Sequence, residues 1–220
     1  TDEDYESTKM TVSGLIVKEY NKYPSNFRYT HELHELMEEN NIPGISGVDT
    51  REIVRIVKKN GVKRAIICDI NKPLNECMEA IKNYHAPKNI VKEISTKKVI
   101  HKRIPSFKYT VACIDCGVKR SLITELNSVG CNVVVLPYDS NTETILKYKP
   151  NGLFISDGPG NPNDVEVVIS TIKTLKGKMP ICGVGLGQEL IALAYCAKIY
   201  KEHVGHNGCN LPVRNIFTGK

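Results

Sequence analysis

The stretch PICGVGLGQELIALA, Pro180 to Ala194, constrains this chain more than any other part of it. A short apolar run leads into a turn with three glycines, and an apolar helix pattern follows. Such a unit is typical of a nucleophile elbow, a sharp strand-to-helix bend that exposes one residue at its tip. Gly183 and Gly187 flank the tip, where the bend needs small residues, and the tip itself is Gly185.

With glycine at position 185, the chain can keep the backbone bend of an elbow but lacks the reactive side chain at its tip. The amide groups at the start of the following helix would favour a thiolate or an oxyanion at the tip. The geometry requires Cys or Ser at this position, and glycine adopts the same bend without steric penalty. We therefore predict that the bend persists at Gly185 and that covalent catalysis there does not.

A dinucleotide-binding loop is an alternative interpretation of the same turn. The glycine fingerprint for such loops needs glycines at its first, third and sixth positions. Gly183 and Gly185 satisfy the first two, whereas the sixth residue is Gln188; Glu202 lies at a suitable distance to bind a ribose. The phosphate-loop pattern is excluded, because no Gly-Lys-Ser/Thr sequence follows.

A second glycine-rich turn, SDGPGNP, occupies Ser156 to Pro162. Gly158 and Gly160 allow backbone amides to approach a ligand closely, and such amides form oxyanion holes or carboxylate clamps. The alternative is a tight loop with Asn163 or Asp164 as the cap of the next helix.

The periodicity predicts a mixed α/β first part and a regular α/β second part. In the second part we expect strands at 109–114, 131–136, 152–156 and 181–184, and helices at 119–129, 142–148, 164–175 and 188–196. Because the strands are apolar on both faces, they predict a mostly parallel sheet with helices on each side, and ligands bind at the carboxyl ends of such strands.

In the first part we expect strands at 12–19 and 65–69, and helices at 30–40, 50–60 and 74–84. Asp49 and Thr50 are the candidate caps of the second helix, and Gly61 is placed to end it. A linker at 93–105 predicts domains 1–104 and 105–220.

The composition excludes several classes of function. The net charge is +6, but only 14 of the 220 residues are aromatic, so a nucleic-acid interface is not expected. No apolar run is long enough to cross a membrane, and the polar start TDEDYESTK does not resemble a secretory signal. The eight cysteines fall mostly in apolar runs, which favours free thiols in a reducing compartment such as the cytoplasm. Cys113 and Cys116 form a CxxC pair whose side chains should point to opposite faces of a strand, so no metal site is expected.

Several longer stretches resemble a known family. The second part resembles class I (triad) glutamine amidotransferase domains, and the whole chain resembles the small subunit of carbamoyl-phosphate synthetase. In the first part the resemblance rests on SNFR and GVDTREIVRIVKKNG, and in the second on DCGVKRSLITEL, PNGLFISDGPGNP, PICGVGLGQELIALA and GHNGCNLPV.

The resemblance implies glutamine hydrolysis by a Cys–His–Glu triad, but this chain departs from the pattern. The family's nucleophilic Cys falls on Gly185, and the amide of Leu186 corresponds to the oxyanion hole. Gly158 and Gly160 match the glutamine-binding turn. Glu189 replaces a glutamine that contacts the substrate, and as a carboxylate it cannot donate the hydrogen bond.

Other parts of the family pattern are expected outside this sequence. The family's catalytic His and Glu, in a His-Pro-Glu stretch, would come after Lys220, and His206 is not that His. A further glutamine-holding segment would precede Thr1, so we expect an internal fragment of a longer subunit.

The resemblance also implies the partners. The ammonia would pass to a large synthetase subunit or a fused synthetase domain, which uses ATP, Mg²⁺ and bicarbonate for pyrimidine and arginine synthesis; no cofactor is expected in this chain. Two alternatives stay open: a degenerate domain with a structural or regulatory role beside an ammonia-using synthetase, and a nucleotide-binding module.

Overall fold

The computed structural model describes residues 4–7, 10–205 and 212–219. The chain divides into two compact units, each built from separate stretches of sequence. The larger unit contains residues up to 12, 23–41 and 84–199, and the smaller contains 13–22, 42–83 and the residues from 200 onward. The predicted boundary at residue 104 concerns family domains rather than compact units, and it stays a prediction.

The secondary structure alternates along most of the chain. The strands are β1 (Leu15–Ile16), β2 (Gly44–Ile45), β3 (Ile100–Lys102), β4 (Tyr109–Asp115), β5 (Cys131–Pro137), β6 (Gly152–Ile155) and β7 (Ile181–Gly183). The helices are α1 (Leu33–Glu39), α2 (Thr50–Asn60), α3 (Leu74–Asn83), α4 (Val91–Ile94), α5 (Arg120–Ser128), α6 (Thr142–Lys147), α7 (Glu166–Leu175) and α8 (Leu186–Ala194). A 3₁₀ turn at Pro162–Asp164 precedes α7.

A five-stranded sheet in the order β3-β5-β4-β6-β7 forms the centre of the larger unit. Strands β5, β4, β6 and β7 are parallel, and only the edge strand β3 is antiparallel. In the register, Cys113 of β4 lies between Val135 of β5 and Phe154 of β6. The predicted mostly parallel α/β sheet is therefore confirmed.

Helices bury both faces of this sheet, as the doubly apolar strands predict. On one face Ile114, Leu136 and Ile155 pack with buried side chains of α7 and α8, including Ile172 and Leu190. On the other face Cys113, Val133 and Phe154 pack with Ile123 of α5. Burial of such aliphatic side chains contributes roughly 1.5–3 kcal/mol each, so the two clusters hold the sheet rigid beneath its loops.

The CxxC pair is split between these two clusters. Cys113 lies in the cluster that faces α5, whereas Cys116 lies in the cluster that faces α7 and α8. The prediction that the two side chains point to opposite faces is confirmed. Across the described residues, no group of three or more His, Cys, Asp and Glu side chains is arranged to hold a metal ion.

The smaller unit contains a two-stranded parallel sheet in which Leu15 pairs with Gly44. Asp49 caps α2 as predicted, because its Oδ1 accepts a hydrogen bond of 3.0 Å from the Glu52 amide. Gly61 ends α2 with a φ of 76°, a value that favours glycine. The Sγ atoms of Cys68 and Cys77 lie 3.3 Å apart in this unit.

Three sequence-based expectations need correction. Residues 65–69 are not a strand, because their apolar pattern finds no neighbouring strand with which to pair. The expected linker at 93–105 contains β3, whose backbone satisfies the edge of β5 although its own side chains are exposed. Helix α8 begins at Leu186, two residues earlier than predicted, which places its first amides at the tip of the turn. None of the helices in the described ranges has the length and apolarity to cross a bilayer.

Candidate functional site

The two glycine-rich turns meet at one edge of the parallel sheet. The Ser156 amide donates to the Ile114 carbonyl at 3.1 Å, and the Val184 amide donates to the Ile155 carbonyl at 3.3 Å. These hydrogen bonds continue the pairing of the parallel strands past the carboxyl ends of β4, β6 and β7. The sequence-predicted site residues on both turns therefore come together where an open α/β sheet binds its ligands.

The bend at Gly185 has the geometry of an elbow. Its φ is 53° and its ψ is −120°, which are the angles of the first central residue in a type II′ turn. The Gly187 amide closes the turn on the Val184 carbonyl at 2.9 Å, and α8 follows directly. A residue with a side chain would be strained in this conformation, and glycine adopts it freely.

The base of the elbow has no room for side chains at its other two glycines. A Cβ on Gly187 would overlap the Ile155 carbonyl oxygen and lie 2.9 Å from that of Ser156. A Cβ on Gly183 would lie 2.6 Å from the Gly187 carbonyl carbon. Helix α8 thus packs directly on the backbone at the ends of β6 and β7, which explains the need for small residues on both sides of the tip.

The SDGPGNP turn is held against the loop that follows β4. A Cβ on Gly158 would overlap the Cys116 carbonyl oxygen, so only glycine fits there. The hydroxyl of Ser156, which is fully buried, accepts from the Cys116 amide at 2.9 Å and donates to the Asp157 carbonyl at 2.9 Å. Gly160, with a φ of 101°, completes the turn.

Asp115 fixes the other side of this contact. Its carboxylate is buried, with one oxygen accepting from the Gly117 and Val118 amides at 2.9 and 2.8 Å. The second oxygen accepts from the Thr96 amide at 2.7 Å. The negative charge is therefore used to order the loop after β4, which in turn supports the turn that carries Gly158.

The amides of Gly158 and Leu186 converge on a single point. Both donate to Oδ1 of Asp157, at 2.8 Å from Gly158 and 2.9 Å from Leu186. Two convergent amides at a helix amino terminus form an anion-binding site. The resemblance assigns these amides to substrate binding and to the oxyanion hole, and here the chain's own carboxylate occupies the position between them.

The same carboxylate also fills the space beside the tip. A Cβ built on Gly185 would overlap Oδ1 and Cγ of Asp157 and lie 2.8 Å from its other oxygen. The obstacle at position 185 is thus a side chain, whereas the obstacles at Gly183 and Gly187 include backbone. Sequence reasoning missed Asp157, because a residue within a glycine turn gives no signal of a contact with a distant helix.

The buried thiols beside the site do not replace the missing nucleophile. Cys116, which lies against the SDGPGNP turn, has a fully buried side chain. Burial, followed by the negative charges of Asp115 and Asp157, raises the pKa of Cys116 to about 12. The pKa of Cys113 is also raised, mainly by burial. Only a thiolate is an effective nucleophile, so neither cysteine is activated near neutral pH.

The structure describes only some of the remaining sequence-predicted residues. Glu189 lies in the first turn of α8 with its side chain exposed, where its charge is favourable to the helix dipole. Gln188 is exposed as well. Glu202 belongs to the smaller unit, and His206 and most of the GHNGCNLPV stretch lie outside the described residues.

The geometry does not favour a nucleotide at the elbow. A phosphate there would meet the Asp157 carboxylate, which already accepts from the Leu186 amide. Gly183 and Gly187 face protein backbone rather than open space. A cleft of about 300 Å³ lies near the amino ends of β4 and β5, beside Arg103, Phe107 and Tyr148, and contains none of the predicted site residues.

Comparison with known families separates the chain into two matched regions. Residues 1–67 match the carbamoyl-phosphate synthase small chain, CPSase domain, and residues 112–220 match the glutamine amidotransferase class-I family. The carbamoyl phosphate synthase small chain of Staphylococcus saprophyticus is 39% identical over 218 residues, which is 99% of this chain and 59% of that protein. The small chain of Listeria innocua is 37% identical over 99% of this chain and 60% of its own length.

A solved structure, that of a putative GMP synthase component from Thermoplasma acidophilum, is 21% identical to this chain. The matched region covers 40% of this chain and 45% of that protein's chain. The TM-score of 0.34 is too low to support an argument about the fold. The chain spans about 59% of the length of the first Staphylococcus relative.

Proposed function

The chain belongs to the carbamoyl-phosphate synthase small chain family, and we propose that it serves a carbamoyl-phosphate synthetase as a small subunit without glutaminase activity. Its role is then structural or regulatory, and the synthetase that it accompanies draws on free ammonia. The relatives named above are small chains of that enzyme, which supports this choice of partner.

The observation that carries the proposal is the state of the elbow. The bend is retained at Gly185, but the residue offers no atom that could attack an amide. The two amides that would stabilise a tetrahedral oxyanion already bind the Asp157 carboxylate. Loss of the nucleophile in a hydrolase costs roughly a millionfold in turnover, and residual binding cannot replace it.

The partner and the setting follow from the family. A large synthetase subunit, or a synthetase domain fused to this one, would bind ATP, Mg²⁺ and bicarbonate, and this chain would hold no cofactor of its own. Carbamoyl phosphate made in this way would enter pyrimidine or arginine synthesis in the cytoplasm. Glutamine remains the ligand that the SDGPGNP turn resembles, so weak binding without hydrolysis is compatible with this role.

A reconstitution of the full-length protein with its synthetase tests the proposal. We expect carbamoyl phosphate to form with ammonium chloride as the nitrogen source and not with glutamine. We also expect no glutamate to be released from glutamine by the full-length protein alone. Glutamine-dependent synthesis at a rate near that with ammonium would overturn the proposal.

The variant Gly185→Cys provides the informative comparison. We expect it to restore little glutaminase activity, because the displaced Asp157 carboxylate stays beside the anion site and Glu189 still replaces the glutamine-contacting residue. Strong activity from this single substitution would show that the rest of the site is intact and that Glu189 does not disturb it.

A further inference from the structure

The position of the Asp157 carboxylate leads to an inference about how the site is closed. We propose that Asp157 is an internal ligand of the elbow: it occupies the anion site formed by the Gly158 and Leu186 amides and fills the space of a side chain on residue 185. The inference rests on the proposed function only in taking residue 185 as the nucleophile position. Its structural content concerns this chain alone.

The first step of the argument is the hydrogen bonding. Leu186 is the first residue of α8, and the first amides of a helix have no partner within the helix. The N-cap position is Gly185, which has no side chain to cap them. Asp157 supplies the missing acceptor at 2.9 Å from a different loop, so its carboxylate replaces a local cap.

The second step is steric. A Cβ on residue 185 would overlap the Asp157 carboxylate, so the two positions are coupled. Glycine at 185 permits Asp157 to bind, and any larger residue requires it to move. The side chain of Asp157 is exposed, so such a movement is possible, whereas the backbone obstacles at Gly187 are fixed.

The third step is electrostatic. A tetrahedral oxyanion or a ligand carboxylate would need the same two amides that Asp157 occupies, and its negative charge would meet that of Asp157 at short range. The thiolate of a nucleophile at 185 would be disfavoured for the same reason, since a neighbouring negative charge raises a thiol pKa. With glycine at 185 the site is therefore closed by Asp157, and a larger residue there would displace the carboxylate but leave its negative charge close by.

Amide hydrogen exchange of single residues tests the internal ligand directly. In the unmodified chain we expect the Leu186 amide to be protected, although it is the first amide of a helix. In Asp157→Ala we expect the Leu186 and Gly158 amides to exchange about tenfold faster, because hydrogen bonds to charged groups are the stronger ones. The Glu189 amide, which donates to the Gly185 carbonyl, should change little.

The matched control is Asp139→Ala. Asp139 is also an exposed aspartate after a strand of the same sheet, so its removal changes the charge equally. It should leave the Leu186 and Gly158 amides unchanged. An unprotected Leu186 amide in the unmodified chain, or the same rate in Asp157→Ala, would overturn the proposal; the first measurement needs no variant to fold.

Thiol reactivity tests the coupling between the two positions. In Gly185→Cys we expect alkylation by iodoacetamide at pH 8 to be about tenfold slower than in Gly185→Cys/Asp157→Ala, since one pKa unit is a tenfold change in thiolate. Asp157→Asn in place of Asp157→Ala separates charge from volume. Equal rates in all three backgrounds would show that Asp157 neither crowds nor repels a side chain at 185.

These readouts are independent of glutamine and of any partner. If the full-length protein hydrolyses glutamine, the proposed function fails while the exchange result stands. If Asp157→Ala leaves both amides unchanged, the internal ligand is refuted while Gly185 still accounts for a missing nucleophile.

Discussion

Helices α2 and α8 begin in different ways, although each has an aspartate oxygen on an amide of its first turn. In α2 the cap is local: Asp49 precedes the helix and accepts from the Glu52 amide at 3.0 Å. In α8 the N-cap residue is Gly185, and the acceptor is Asp157, which comes 29 residues before Leu186 in the sequence. The first arrangement stabilises one helix, whereas the second also ties that helix to the turn after β6.

This difference shows how a change at position 185 can remove the function of the elbow while its fold is kept. A local cap at α8 would need a side chain at position 185, the position that a nucleophile would use. With glycine there, the helix start still needs an acceptor, and Asp157 provides one through the anion site itself. The stability of α8 and the closure of the site therefore depend on the same contact.

The largest expected difference in stability is between alanine substitutions at the second residue of α8 and at the second residue of α2. Gly187→Ala in α8 would force a Cβ into the Ile155 carbonyl, and we expect a loss of about 3 kcal/mol, the upper end of the usual cost of overpacking. The matched substitution in α2 is Arg51→Ala, at an exposed position, which should change stability by less than about 0.5 kcal/mol.

Urea unfolding, monitored through amide exchange within each helix, measures the loss of stability from each substitution separately. Separate probes are needed because α2 and α8 belong to different compact units. Equal, small losses at both positions would mean that α8 does not pack on the backbone of β6 and that its start resembles that of α2.

The same contrast explains how much of the fold was predictable from sequence. The strands β4 to β7 and the helices between them were predicted closely, because apolar periodicity reflects burial on one face or on both. Gly61 and Asp49 were predicted as the ends of α2, since both act on neighbouring residues. Residues 65–69 were predicted wrongly, because a strand needs a partner that its own composition does not reveal.

The candidate site shows the same limit. Gly185 at the tip and the narrow space at Gly183 and Gly187 follow from local spacing, and the structure has the expected bend. Asp157 could not be found in this way, because its partner, Leu186, is brought to it only by the pairing of β6 with β7. Contacts of long sequence separation depend on the tertiary fold, and the pattern of one turn does not encode them.

A smaller effect distinguishes a local cap from a distant one. Asp49→Ser keeps an oxygen acceptor at the N-cap of α2 and should change stability by a few tenths of a kcal/mol. Asp157→Ser shortens the side chain, so the hydroxyl no longer reaches the Leu186 amide, and we expect a loss of about 1 kcal/mol. Local exchange in the two helices reads out both effects, and equal losses would show that Asp157 acts as an ordinary cap.

The smallest expected effect concerns a third helix start, that of α5, where Glu6 also acts from a distance. Its carboxylate accepts from the Ser121 amide at 2.9 Å, and this backbone hydrogen bond lowers the pKa of Glu6 below the ordinary value of 4.5. A carboxyl whose pKa is lowered on folding stabilises the folded state above its unfolded pKa, and the contribution is lost as the pH falls through the folded pKa. Glu6→Gln should therefore lower the Tm slightly at pH 7, and the difference from the unmodified chain should shrink as the pH falls through the lowered pKa of Glu6.

The control for Glu6 is Glu125→Gln in the last turn of the same helix. A negative charge there opposes the helix dipole, so its removal should leave the Tm unchanged or raise it slightly. A Glu6→Gln effect that does not shrink in acid would mean that packing rather than charge holds Glu6 on α5. The starts of α5 and α8 would then share a geometry but not a charge interaction. The effect of Asp157 on position 185 would in that case be attributed first to the space that its carboxylate fills and only then to its charge.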